Sequence, residues 1–221
     1  TTFWLRYSYD LGDRVTRMTY PSGRQLLYRR DPKGRVLLVL TRADAASTWT
    51  TLASNMGYEP FGPMTSVTFG NGLSAKIDYG NDGRMAMRRL FRTGDQSDLS
   101  RLTYEFDAED NITRIVDAVD ASKTQSYGYD RAGRLNRLET GAGSIQRVDY
   151  TYDANGNRLS QDNRALASDS APVSSDAYGY TAGTNQLASI TSPAGTRAIS
   201  YDGRGNTAAE TRPDGIAVQT F

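Results

Sequence analysis

Apolar and polar residues alternate along this chain in runs of about six. Leu73, Ala75, Ile77 and Tyr79 fall on one side of such a run, and Ser74, Lys76 and Asp78 on the other. Val148, Tyr150 and Tyr152 oppose Asp149 and Thr151 in the same way. Period two is the mark of a half-buried antiparallel strand. No segment carries a long 3.6-residue apolar stripe with caps. The pattern predicts an all-β chain, an antiparallel β-meander of about eighteen strands.

The runs are punctuated at regular intervals. An aromatic residue, one residue, a Tyr, an acidic or small residue and a Gly-containing turn recur nine times. The position after the Tyr falls at Asp10, Asp31, Glu59, Gly80, Asp107, Asp130, Asp153, Thr181 and Asp202. The steps between them are 21, 28, 21, 27, 23, 23, 28 and 21 residues, so a unit of about 21 carries insertions. Thirteen of the fourteen tyrosines stand just before this position or two residues further back, which leaves only Tyr20 outside the pattern. Self-similarity of this kind identifies a repeat array. A second mark, at Ser22-Gly23, Asn71-Gly72, Ala194-Gly195 and Asp214-Gly215, predicts two-residue hairpin turns. Insertions are expected at Asp44 to Asn55, Thr93 to Ser100 and Asp162 to Asp176.

The repeated residues have a structural reading first. Tyr127 and Tyr129, like Tyr150 and Tyr152, are i and i+2 on a strand and project from one face. With Tyr9, Tyr79 and Tyr201 they are expected to form a ladder that holds neighbouring units together. Asp10, Asp130, Asp153 and Asp202 are expected to accept backbone N–H groups within their turns. Gly83, Gly133 and Gly156 supply conformations that other residues reach only under strain. The functional alternatives are a tyrosine platform for sugars, paired turn carboxylates acting as in a glycosidase, and a cation held at Asp153 to Gly156. One Asp per turn, repeated at intervals, is what a turn demands and not what a single active site demands. Trp49 lies in an insertion and is expected to anchor it.

Composition narrows the field. The 26 basic and 25 acidic residues give a net charge of +1 and are spread along the chain, without a basic run for nucleic acid or an anionic membrane. No apolar run approaches membrane-spanning length. The absence of Cys and His removes disulfides, thiol nucleophiles, Ser-His-Asp triads and imidazole metal sites. No cofactor or catalytic residue is expected.

The phrases Y-S-Y-D-L-G-D-R-V, Y-G-Y-D-R-A-G-R-L and Y-T-Y-D-A-N-G-N-R-L resemble the YD repeats of bacterial Rhs proteins, which also occur in the cocoon subunits of insecticidal toxin complexes and in teneurins. Y-E-P-F-G-P-M-T-S-V-T-F-G-N-G-L from Tyr58 and M-T-Y-P-S-G-R from Met18 belong to the same resemblance. Departures are Arg30 for the Tyr, Gly80 and Thr181 for the Asp, and Asp107-Ala108-Glu109-Asp110 without the Gly. The resemblance implies a sheet that curves or spirals into a hollow shell around a C-terminal toxic domain, in a secreted or cell-surface bacterial protein. Its partners would be the rest of its own array and the enclosed domain. The D-P-x-G motif of the family's self-cleaving core is absent from these residues. The expectation is one array over residues 1–221, of about nine units and without a second domain. It is taken as incomplete at both ends, with Phe221 in the aromatic position of a further unit, and with open edges able to pair with another chain. A carbohydrate-binding or recognition module remains the alternative.

Overall fold

The computed structural model describes residues 3–215 and 217–219. Phe221 lies outside them. The chain divides into two compact units. The first runs to Tyr104 and takes in Asp117–Val119; the second holds Glu105–Val116 and the chain from Asp120 onward.

The first unit is a meander of β1 (Arg6–Tyr9), β2 (Val15–Thr19), β3 (Gln25–Arg30), β4 (Val36–Arg42), β5 (Thr50–Tyr58), β6 (Met64–Phe69), β7 (Leu73–Tyr79), β8 (Met85–Arg92) and most of β9 (Asp98–Phe106). Each strand pairs antiparallel with the next. The second unit continues the pattern with β10 (Ile112–Asp117), β11 (Gln125–Tyr129), β12 (Leu135–Thr140), β13 (Arg147–Tyr152), β14 (Arg158–Arg164), β15 (Ser174–Tyr180), β16 (Leu187–Ser192), β17 (Gly195–Tyr201), β18 (Thr207–Thr211) and β19 (Ala217–Gln219). Its strands from β10 onward are again paired consecutively and antiparallel. A single 3₁₀ turn at Ala121–Lys123, capped by the Asp120 carboxylate on the Ser122 N–H, is the helical element among the described residues.

Among the described residues, each unit is built of strands, with the Ala121–Lys123 turn as the helical exception. Among the described residues only Ala53, Val67 and Ser74 are buried. In the first unit the cross-strand rows are aliphatic and aromatic. Tyr28, Val39, Ala53 and Phe69 stand opposite one another across four strands, and Val67, Ala75 and Leu90 across three. Cross-strand neighbours of this sort are the unit of sheet stabilisation. In the second unit the rows turn polar. Leu138 and Val148 lead to Asn163 and Ser174, whose side chains are hydrogen bonded at 3.0 Å.

The insertions are shorter than the sequence pattern predicts. Thr50 to Asn55 belong to β5, Asp98 to Ser100 to β9, and Asp162 to Arg164 and Ser174 to Asp176 to β14 and β15. Their polar side chains suit exposed stretches of strand, so composition alone misplaces the boundary. Trp49 closes the first insertion, with the Arg42 and Arg17 guanidinium carbons 4.5 and 6.0 Å from its ring centre. The hairpin turns also differ from expectation. Ser192 pairs with Gly195 across a two-residue turn. Elsewhere the Gly alone takes positive φ, at Gly23, Gly72 and Gly215, while Ser22, Asn71 and Asp214 do not. A tight turn closed by one left-handed residue forms the connection, so one Gly is enough.

Candidate functional site

The recurring Tyr-Asp turn is the feature the sequence repeats, and its geometry is shared by the copies that keep the Asp. In Asp130–Arg134 the Asp130 N–H donates to the Arg134 carbonyl at 2.9 Å, and the Gly133 N–H to the Asp130 carbonyl at 2.9 Å. One carboxylate oxygen of Asp130 accepts the N–H groups of Ala132 and Arg134 at 2.9 and 3.0 Å. The other accepts Nε of Arg134 at 2.7 Å. Asp153 and Asp202 repeat this latch with Asn157 and Asn206 amides in place of the guanidinium. Asp10 and Asp31 repeat it with Arg14 and Arg35. Every latch so described follows a β-bulge at the residue before the tyrosine position, seen at Tyr9, Arg30, Tyr129, Tyr152 and Tyr201. A bulge admits one extra residue and sharpens the local twist.

The tyrosine of each turn is tied to the turn before it. Tyr58 donates its hydroxyl to the Val36 carbonyl at 2.6 Å. Tyr79 reaches the Met64 carbonyl (3.3 Å), Tyr129 that of Ile112 (2.8 Å) and Tyr152 that of Leu135 (2.7 Å). Tyr180 reaches Arg158 (2.9 Å) and Tyr201 reaches Leu187 (3.0 Å). Each acceptor is the first residue of the strand that follows the preceding turn. Met64, Leu135, Arg158 and Leu187 are also the register partners of the preceding tyrosines Tyr58, Tyr129, Tyr152 and Tyr180. The hydroxyls therefore relay from rung to rung. Sequence reasoning places the rings on one face but expects ring-on-ring contact to join them. The polar tip joins them instead, because the strand between two rungs holds the rings apart. Tyr7 and Tyr9, within one strand, do approach, with centroids 6.4 Å apart.

Arginines add a second tie in the same direction. Arg35 lies 5.0 Å from the Tyr58 ring centre and donates to the Glu59 carbonyl at 3.1 Å. Arg134 lies 4.8 Å from the Tyr152 ring centre and donates to the Asp153 carbonyl at 2.8 Å. A cation over an aromatic face is attracted by the ring quadrupole.

Departures from the repeat are compensated locally. Arg30, in the tyrosine place, sends Nη2 to the Val15 carbonyl at 3.2 Å, and Val15 is the register partner of Tyr9. The guanidinium thus does the hydroxyl's work. At Gly80, the missing carboxylate is supplied by Asp82, which accepts the Arg84 N–H at 2.9 Å and its Nε at 2.7 Å. At Thr181 the turn is longer and the Thr184 hydroxyl accepts the Gln186 N–H at 3.1 Å. These exchanges are invisible to a motif but follow from counting donors and acceptors.

The electrostatics run one way. The Arg134 N–H holds the Asp130 carboxyl below the ordinary carboxylate value, and the Arg14 N–H does the same for Asp10. The Asn157 and Asn206 amides do so for Asp153 and Asp202. On the opposite face Asp149 accepts Arg137, Arg147 and Arg164; burial pushes its carboxyl up, and hydrogen bonds from Arg147 and then Arg137 outweigh it. A general acid at neutral pH needs a raised carboxyl, the reverse of what these groups show. Among the described residues no group of three or more carboxylates is placed to hold a metal ion. A carboxylate held low in the folded state adds stability above the ordinary value of 3.8, and that stability is lost as pH falls through the depressed value. Thermal melts should therefore agree between about pH 7 and about pH 5 and drop below about pH 3.8 as the latches are protonated. A fall of equal size between the first two conditions would contradict the latch.

The site and sheet together define an antiparallel β-repeat array knit by tyrosine turns. Solved structures share that fold. A chain of the Photorhabdus luminescens Tc holotoxin pore carrying the TccC3-D651A mutation matches with a TM-score of 0.75 at 15% identity, over 94% of this chain and 12% of that one. TcdB2-TccC3-TEV matches with a TM-score of 0.77 at 15% identity, over 95% and 12%. TcdB2-TccC3-Cdc42 gives 0.73 at 14% identity, over 95% and 12%. The chain thus spans about an eighth of the chains it matches, and the YD-repeat resemblance has its counterpart in the fold of these toxin-complex chains. No family model matches, and no curated protein does.

Proposed function

We propose that this chain is a wall segment of a YD-repeat shell that encloses and shields a C-terminal toxin or effector domain, and that it is not itself catalytic. The observation that carries the reading is the hydroxyl relay. It joins six turns to the one before, through Tyr58, Tyr79, Tyr129, Tyr152, Tyr180 and Tyr201. The similarity to toxin-complex chains, and the downward displacement of the turn carboxylates, support it. Secretion or cell-surface display belongs to the same reading. So does treatment of residues 1–221 as one array of about nine units, with the rest of the array as its first partner. The sugar-platform reading is weaker, because one face of Tyr178 already has the Arg158 guanidinium 4.4 Å from its centre. Calorimetric titration with defined glycans tests it, and micromolar binding would revive it.

The enclosing role is tested by limited proteolysis of the parent protein with and without this segment. A downstream domain that resists protease only when the segment is present is the expected result. Equal digestion in both forms would overturn enclosure.

A further inference from the structure

The chain up to Tyr104 is basic and the rest acidic. Residues 1–104 carry 15 Lys and Arg against 9 Asp and Glu, and residues 105–221 carry 11 against 16. Strand register gathers part of the basic excess on one face of the first unit. Arg6, Thr19, Gln25 and Arg42 stand opposite one another across β1 to β4, and Ser8, Arg17, Leu27 and Leu40 form the next row. Arg29 lies two residues beyond Leu27 on β3 and so faces the same way. β1 to β4 contain no Asp or Glu. Arg6, Arg17 and Arg29 are exposed, and their side chains have no ion pair or hydrogen bond among the described residues. Arg42 gives Nε and Nη2 to the Gln25 side-chain oxygen at 2.9 and 2.7 Å, and Nη1 to the Ala45 carbonyl at 3.0 Å, all uncharged acceptors. Of the carboxylates in the flanking turns, Asp10 and Asp31 already hold Arg14 and Arg35, and Asp44 accepts the Ala46 and Ser47 N–H groups. Asp13 remains, one charge against four. The second unit is the contrast: there Arg137, Arg147 and Arg164 share Asp149, and Arg197 has Glu210 at 2.7 Å.

We propose that the face carrying Arg6, Arg17, Arg29 and Arg42 docks an acidic polypeptide. Like charges gathered on one sheet face repel one another, and carboxylates from a partner remove that repulsion. The spacing fits. Neighbouring strands lie about 4.8 Å apart and alternate residues about 6.8 Å apart, so Arg6, Arg17 and Arg29 run diagonally in steps of about 8 Å. Carboxylates on alternate residues of an extended segment stand about 7 Å apart, and a guanidinium takes a carboxylate through two parallel N–H bonds. A nucleic-acid strand fits less well, because it needs a succession of open rings to stack on. The Trp49 ring already has the Arg42 and Arg17 guanidinium carbons 4.5 and 6.0 Å from its centre, and Trp4, beside Arg6 at one corner, is a single open ring. A bilayer needs a broad apolar face, whereas Leu27, Leu38 and Leu40 are half-buried among the arginines. The inference does not depend on what the wall encloses.

Fluorescence anisotropy of a labelled peptide of alternating Glu and Ser, about 20 residues long, titrated with the whole chain at low ionic strength, tests it. The peptide should bind, and the binding should weaken on adding salt, as exposed charge pairs do. Changing Arg17→Gln and Arg29→Gln together should weaken it by about tenfold or more, the range that charged hydrogen bonds supply. Neither side chain is bonded within the chain, so the double variant should keep its melting temperature. Arg137→Gln, whose arginine already shares Asp149, should change the affinity by less than about twofold. Absence of peptide binding would overturn the proposal, and so would an equal loss in the two variants. Tighter binding of an oligothymidylate of like charge, or of phosphatidylserine vesicles, would overturn the polypeptide as occupant.

Discussion

Gly70→Ala is expected to be the most damaging small substitution in the chain. Gly70 donates its N–H to the Leu52 carbonyl at 2.9 Å. A methyl group at Gly70 would sit 1.9 Å from the Thr51 carbonyl oxygen and 3.0 Å from its carbon. Both are backbone atoms, so no rotamer change relieves the overlap, and β5 would have to move away from the turn. The movement would disturb Ala53, one of the three buried residues and the register partner of Phe69. Overpacking of this kind costs about 1–3 kcal/mol and more where backbone must shift, so a loss of about 3 kcal/mol or more is expected. Gly72→Ala, two residues on, meets open space and pays only for its φ of +83°, about 1 kcal/mol. Urea unfolding of both variants makes the comparison. A Gly70→Ala chain as stable as Gly72→Ala would show that β5 and the turn are not in contact as described.

Tyr152→Ala is the second large effect. It removes a hydrogen bond to the Leu135 carbonyl at 2.7 Å, and the ring under the Arg134 guanidinium. Deleting a buried aromatic costs about 3–5 kcal/mol; Tyr152 is only partly covered, so about 2–3 kcal/mol is expected. Ser168→Ala, on the exposed loop between β14 and β15, should fall within about 0.5 kcal/mol of the unaltered chain. Equal melting temperatures for the two variants would remove the tyrosine rung from the account.

Much of this architecture is legible in the residues. Alternation at Leu73–Tyr79 and Arg147–Tyr152 marks these segments as strands, but not which face is covered: Ser74, on the polar side of β7, is one of the three buried residues. The Tyr-Asp-x-x-Gly spacing is the direct consequence of one carboxylate serving two N–H groups and a side chain. The hydroxyl relay is not legible, because its acceptors are backbone carbonyls, and a carbonyl leaves no mark in a sequence. Arg30 reads as a broken rung for the same reason; only the position of Val15 shows that a guanidinium reaches as far as a phenol. Gly70 is hidden beside the more conspicuous Asn71-Gly72, since close approach of two strands depends on register. Thr50 to Asn55 reads as loop because its Thr, Ser and Asn side chains carry no apolar alternation, although Ala53 among them is buried.

The relay is tested most directly by one chemical change made at two kinds of tyrosine. Tyr129, Tyr152, Tyr180 and Tyr201 donate to a carbonyl of the preceding repeat, whereas Tyr150 and Tyr178 lie on the same face beside Arg158. Removing one hydroxyl at a time as Tyr→Phe and measuring the melting temperature separates the two sets. Each of the first four should lower it by about 2–4 °C, the shift that about 1 kcal/mol produces in a chain of this size, while Tyr150→Phe and Tyr178→Phe should leave it nearly unchanged. Equal shifts in the two sets would contradict the claim that hydroxyl-to-carbonyl bonds knit the repeats into a wall.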